Sequence, residues 1–238
     1  MRDAQPGTIY LRDYRPPAWL INRTELHFEL HEDHVIVASR LHLLRDGQVA
    51  RDNALTLDGA GLELLSVAID GFDLEEGAYS VTPEKLLIHE VPDQCVLACR
   101  TRIRPQDNTA LEGLYKSHSM FCTQCEAHGF RKITYYLDRP DVLSVFTVTI
   151  EADHHRYPVL LSNGNLIADG EIDGGRHRAV WHDPFPKPAY LFALVAGDLA
   201  HVEDRFMTCS GRDVTLRIYV EEKDLDKCSH AMASLKHA

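Results

Sequence analysis

The sequence has no long apolar run, no surplus of positive charge and no complete nucleophile or metal motif, and each absence removes a class of function. Its most apolar stretch, residues 190–196, falls far short of the roughly 20 residues that a membrane helix needs. Residues 1–7 hold no apolar segment, so no signal peptide is expected there. Lys and Arg number 25 against 36 Asp and Glu, a formal net charge of -11. Phosphate backbones need clustered cations, so neither nucleic acid nor membrane is expected as a partner. The acidic residues are scattered and read as a solvated surface. Six cysteines in 238 residues do not make a disulfide scaffold. Without an export signal they are expected to be reduced thiols in a cytoplasm. No Gly-x-Ser-x-Gly elbow, phosphate-binding glycine loop or Ser, His and Asp grouping occurs.

What is present is a punctuated β pattern. Residues 24–30 alternate polar and apolar, as a half-buried strand must, and residues 35–44 form the return strand across a polar turn. Further strands are expected at 62–69, 85–90, 95–103, 142–150, 155–161, 165–172, 176–181 and 214–220. Gly, Pro, Asp or Asn bounds each, which predicts an all-β antiparallel sandwich. Asp173-Gly174-Gly175 marks a hairpin. Residues 111–131 follow neither period and predict a long excursion from the sheet, the kind of segment that often carries function. The prolines of 183–188 predict a rigid connector. After Gly197 and Asp198 the pattern restarts, and a helix is expected from Asp224 to the last residue, with no C-cap signal.

Four groups invite a chemical reading. His31-Glu32-Asp33-His34 lacks the His-Glu-x-x-His spacing that puts two imidazoles on one helical face, and position 35 is Val, so it reads as a hairpin turn. Cys95, Cys99, Cys122 and Cys125 could supply four thiolates to zinc, but the first two lie in a strand pattern where small thiols pack. Cys122-x-x-Cys125 lacks the βαβ setting of a redox motif. Gln124 and Glu126 remain, two residues apart on an irregular loop and able to converge on one ligand. A carboxylate there would hold an ammonium group with roughly 4 kcal/mol at about 4 Å near the surface. From spacing alone, a pair between Glu126 and Arg131 or Lys132 that merely fixes the loop is the simpler reading.

Long blocks of the chain resemble the bacterial aminopeptidase N family of gluzincin zinc aminopeptidases. They are Asn108-Thr-Ala-Leu-Glu-Gly-Leu-Tyr115, Cys122-Thr-Gln-Cys-Glu-Ala-His-Gly-Phe-Arg131 and Ile133-Thr-Tyr-Tyr-Leu-Asp-Arg-Pro-Asp141. Leu161-Ser-Asn-Gly-Asn165 and residues 183–198 match as well, in family order. The resemblance implies a saddle- or sandwich-like N-terminal β domain over 1–197. The first strands and the start of a helix of a thermolysin-like catalytic domain would follow over 198–238. It implies peptide substrates and a loop whose Gln124 and Glu126 bind the substrate's α-amino group. The Gly-Ala-Met-Glu-Asn motif, His-Glu-x-x-His and the later zinc-binding Glu are absent. The zinc and the catalytic residues are therefore expected beyond residue 238, with none bound by this chain. Its partners would be the remaining catalytic and C-terminal domains of the same protein. Alone it would be inactive; the alternative is a free-standing β module that binds peptide amino termini or a partner protein. In the first case an exposed apolar patch is expected, carried largely by the stretch after Gly197.

Overall fold

Alternating polar and apolar residues build the first two strands, β1 (Trp19–Leu30) and β2 (Val35–Arg45). The computed structural model describes residues 10–47 and 53–237, so the reading of residues 1–7 and the end of the last helix at Ala238 lie outside the described residues. After β2 come β3 (Leu55–Asp58), β4 (Glu63–Ile69), β5 (Phe72–Asp73), β6 (Tyr79–Val81), β7 (Lys85–Ile88) and β8 (Gln94–Ile103). They are followed by β9 (Gly113–Ser117), β10 (Met120–Gln124), β11 (Leu143–Asp153), β12 (Val159–Ser162), β13 (Asn165–Ile172) and β14 (Arg176–Pro188). Then β15 (Leu194–Gly197), β16 (Ala200–Met207), β17 (Asp213–Val220) and the helix α1 (Cys228–His237) complete the described chain. The mostly antiparallel, β-rich fold agrees with the sequence reading.

The largest sheet runs β13-β14-β11-β1-β2-β8-β4-β5. Pairing in it is antiparallel except at its centre, where β1 and β11 run parallel. A parallel pair needs a long crossover, and here it is everything between Leu30 and Leu143, which includes one smaller sheet whole and the first two strands of another. These two sheets are the three-stranded β3-β7-β6 and the four-stranded β12-β15-β10-β9. They contribute Leu55, Leu57, Leu86, Ile88, Leu114, Phe121 and Leu194 to the same core as Phe28, Leu41, Leu97, Phe146 and Ile150 of the large sheet.

The segment from Phe130 to Asp138 joins these layers. Phe130, wholly buried, meets Tyr136 edge-on at 4.8 Å and Phe192 at 5.4 Å between ring centres. Buried hydroxyls tie the segment to the large sheet. The Thr24 hydroxyl lies 3.2 Å from that of Tyr136 and 2.8 Å from Ser144, and Ser39 lies 3.0 Å from Thr134. Each would cost about 1–3 kcal/mol if left without a partner, so the seam selects one seating of the segment.

Three expectations need correction. Residues 183–188 are not a connector; they complete β14, pairing with β11 as far as Leu143 with Pro188. β13 ends its pairing at Asn165 with His182, so residues 183–188 are paired on one side only. A bulge also falls between Asp183 and Lys187, and proline is tolerated at such open or bulged positions. The strand expected at 155–161 begins at Val159, because Asp153 caps a turn by accepting from the backbone N–H of His155 and Arg156. The exposed apolar side chains are not concentrated after Gly197. The tail shows Phe206, Met207, Val214 and Leu235, whereas Leu11, Phe72 and Phe185 are more exposed elsewhere. Cross-strand pairs Arg205–Asp213 and Arg217–Glu203 make the β16–β17 hairpin polar, and among the described residues the tail buries only Cys228 and Met232.

The β1–β2 turn has a stabilising cluster of its own. Glu32 accepts from Tyr157 at 2.7 Å and Lys116 at 3.1 Å, and pairs with Arg156 at 2.7 Å. Burial pushes the Glu32 carboxyl upward, but these donors and cations outweigh it and hold it below its ordinary range. Its contribution is therefore complete above the ordinary carboxylate value of about 4.3 and lost as pH falls through the lower folded value. Denaturant unfolding followed from neutral to acid pH should show Glu32→Gln less stable at neutral pH, with the gap to wild type closing on acidification. A gap that stays constant with pH would show that the cluster is not electrostatic in origin.

Candidate functional site

The excursion expected at residues 111–131 leaves the large sheet but is ordered. Its β9–β10 hairpin pairs Gly113 with Gln124, and β10 continues onto β15. Thr123 locks that contact, since its hydroxyl accepts from the Leu194 N–H at 2.8 Å and donates to the Leu194 carbonyl at 3.2 Å. Gln124 is the last residue of β10, and the chain then turns back. Gly129 N–H donates to the Cys125 carbonyl at 2.8 Å, and Phe130 re-enters the core. The Glu126–Ala127 peptide within this turn is cis.

Two glycines permit the reversal. A Cβ at Gly129 would stand 2.4 Å from the Gln124 carbonyl oxygen and 2.9 Å from the Gly113 nitrogen. Gly113 has φ +72, and a Cβ there would meet the Gly129 oxygen at 2.9 Å. The backbones thus touch where any side chain would part them. Exposure then alternates, with Gln124 and Glu126 exposed and Cys125 buried between them. The Cys125 thiol is pushed up to about 12 by burial and by the Asp138 charge, so it anchors the loop as a neutral, apolar group.

The structure overturns the simpler reading of Glu126. Arg131 turns away from it. The Arg131 guanidinium donates through Nε to Asp138 Oδ2 at 2.9 Å and through a terminal nitrogen to the Asp138 carbonyl at 3.2 Å, and lies 3.8 Å from Asp58. Lys132 Nζ sits 2.6 Å from Glu112. Among the described residues no cation pairs with Glu126. An exposed carboxylate and an exposed amide two residues apart, on a loop pinned at both ends, remain open to an external cation. Sequence reasoning missed Asp58, Glu112 and Asp138, whose part is to occupy those cations. Asp58 lies in another strand, and nothing in its local pattern signals Arg131.

The other candidates are not brought together. His31-Glu32-Asp33-His34 is the β1–β2 turn, closed by His31 N–H to the His34 carbonyl at 3.0 Å, with Glu32 committed to the cluster above. Cys95 and Cys99 lie on β8, apart from Cys122 on β10. Burial holds Cys95 at about 11 and Cys99 at about 12, and raises Cys122, so these are thiols rather than thiolates. Metal binding and disulfide exchange both use the thiolate. Among the described residues, no three His, Cys, Asp or Glu side chains are grouped to hold a metal.

Comparison with known proteins decides what this loop belongs to. A family model, the Peptidase M1 N-terminal domain, matches residues 40–191. The chain belongs to the M1 peptidase family. Aminopeptidase N of Caulobacter vibrioides is 51% identical over 238 residues, 100% of this chain and 27% of that protein. Aminopeptidase N of Escherichia coli is 48% identical, covering 98% of this chain and 26% of its own length. Aminopeptidase A of Legionella pneumophila, solved in complex with aspartic acid, superposes with a TM-score of 0.90 at 35% identity, over 95% of this chain and 27% of that one. An M1 zinc metallopeptidase from Deinococcus radiodurans shares the fold with a TM-score of 0.72 at 16% identity, over 86% of this chain and 48% of its own. The chain thus spans about a quarter of the length of its curated aminopeptidase N relatives. As an M1 N-terminal domain it carries the Gln124–Glu126 loop between the β9–β10 hairpin and the buried segment beginning at Phe130.

Gly129→Ala should force the Gln124 carbonyl away and destabilise the protein by about 1–3 kcal/mol, the usual cost of overpacking. Denaturant unfolding measures it; a loss below about 0.5 kcal/mol, typical of an open surface site, would show that the two backbones need not touch.

Proposed function

We propose that this chain is the amino-terminal part of a zinc-dependent aminopeptidase, and that Glu126 with Gln124 binds the free α-amino group of the peptide substrate. The observation that carries the reading is the exposed Glu126 carboxylate, left without a protein cation while Arg131 and Lys132 are held by other carboxylates. An enzyme that removes single residues from a chain end must tell an ammonium from an internal amide. A fixed carboxylate does so, because a substrate lacking the charge leaves it unpaired. The Gln124 side-chain carbonyl would accept a second ammonium N–H. Holding the chain end in this way places the first peptide bond at a set distance for reaction.

Among the described residues none fit a zinc site: His31-Glu32-Asp33-His34 is a hairpin turn, and no three His, Cys, Asp or Glu side chains are grouped to hold a metal. We assign the zinc, its ligands and the general base to segments beyond residue 238, and the chain alone to an inactive state. The break between domains is placed near Gly197, supported by β16 and β17 pairing with each other and not with the larger sheets. A reducing cytoplasm suits the six free cysteines.

Hydrolysis of an aminoacyl-coumarin substrate with added zinc tests this. The 238-residue chain and the complete reading frame are compared, each as wild type and Glu126→Ala. The chain should be inactive, while the complete protein should lose about a hundredfold in kcat/KM on mutation, the loss expected when a hydrogen bond to a charged group is removed. Unchanged kcat/KM in Glu126→Ala would remove the anchor role. Turnover by the chain itself, free of contaminating peptidase, would mean that it contains a catalytic site of its own.

A further inference from the structure

We infer that Asp138 and Glu112 are positioning residues for substrate binding: by holding Arg131 and Lys132 they keep Glu126 free of protein cations, so that its charge is available to the substrate ammonium. This rests on Glu126 being the ammonium anchor, and it names what sets that anchor's strength.

The problem is built into the sequence. Arg131 and Lys132 follow Glu126 by five and six residues on the same loop, near enough that a neutralising pair would be the default. Such a pair would compete with substrate for the one carboxylate that distinguishes a chain end. The structure answers with dedicated partners. Asp138 is buried, 3% exposed, and receives the Arg131 side-chain Nε–H at 2.9 Å and its backbone N–H at 3.2 Å. The Asp138 carbonyl takes a terminal guanidinium nitrogen at 3.2 Å, and Asp58 adds a second negative charge at 3.8 Å. The Arg131 carbonyl is fixed as well, accepting the Ala60 N–H at 2.9 Å. A guanidinium held at its backbone and at two of its nitrogens cannot swing to Glu126 without stranding a buried carboxylate. The Asp138 charge also adds to burial in raising the Cys125 thiol, the residue next to Glu126. Glu112, just before β9, offers Lys132 a partner at 2.6 Å, and its backbone is fixed because Asn108 donates to the Glu112 and Leu114 carbonyls at 2.7 and 2.9 Å.

A purely structural role for Asp138 makes a different prediction, so the two separate cleanly. Asp138→Asn keeps the shape and removes the charge that restrains Arg131. In the complete, zinc-loaded enzyme, KM for an aminoacyl-coumarin should rise about tenfold, the equivalent of one charge-assisted hydrogen bond. The change in kcat should be small, because the lost contact is made in ground and transition states alike. Adding Arg131→Gln to Asp138→Asn removes the competing cation and should bring KM back to within about twofold of wild type, although the fold has lost a further contact. If Asp138 only stabilises the fold, the double variant will be as impaired as the single one or more so. That result, or a wild-type KM in Asp138→Asn, overturns the inference. Should Asp138→Asn not fold, Glu112→Gln and its rescue by Lys132→Met decide the matter, since Glu112 is 55% exposed at its side chain. An unchanged KM in Glu112→Gln, or no rescue, counts against the inference. Glu126→Ala in the same series keeps the premise separate: if it leaves KM and kcat unaltered, the anchor reading itself is at fault.

Discussion

Everything in this molecule that bears on function hangs from the seating of one buried segment, Phe130 to Asp138, between the large sheet and the two smaller ones. Phe130 and Tyr136 fill the aromatic centre of the core, and the Thr24, Ser39 and Ser144 hydroxyls fix the segment's register along the sheet. Apolar contact alone would tolerate a slip, since one aromatic pocket accepts many ring poses. Hydroxyls without water do not, because each misplacement strands a polar atom. The loop bearing Gln124 and Glu126 is the upstream continuation of this segment, so its position is inherited from the core rather than chosen locally.

The same segment governs the charge of the site. Asp138 is buried at one end and Arg131 half-buried near the other, and their pair is enclosed by protein instead of lying open to solvent. That enclosure makes the Arg131 choice of partner decisive. Exposed pairs exchange cheaply, whereas a buried carboxylate abandoned by its cation is costly. Glu126 stays outside this network and in contact with solvent. Among the described residues, Glu126 is left without a cation because the fold gives Arg131 and Lys132 other partners.

Much of the fold was legible along the chain. Residues 24–30 and 35–44 showed their strands because burial on one face imposes period two. Asp173-Gly174-Gly175 showed its hairpin because both glycines adopt positive φ. The failures have physical causes as well. Residues 183–188 read as a connector because proline cannot donate to a ladder, yet they lie where β14 has a neighbour on one side only. Residues 111–131 read as irregular because β9 and β10 are short, and the second partner of β10, β15, comes from far along the chain. The parallel pairing of β1 with β11 left no local sign at all.

The blocks around Glu126 were enough to place the chain in its family, and the alternating segments were enough to make it a β protein, because both signals are carried by neighbours in sequence. Composition likewise determined that no span could cross a membrane as a helix. Whether Glu126 is neutralised was beyond that reach. Two cations stood close by, and sequence distance favoured a pair; only the folded chain brought Asp58 and Asp138 to Arg131 and Glu112 to Lys132. The reason is that ion pairing depends on distance through space and on burial, and a chain that crosses between sheets brings distant residues closer than near neighbours.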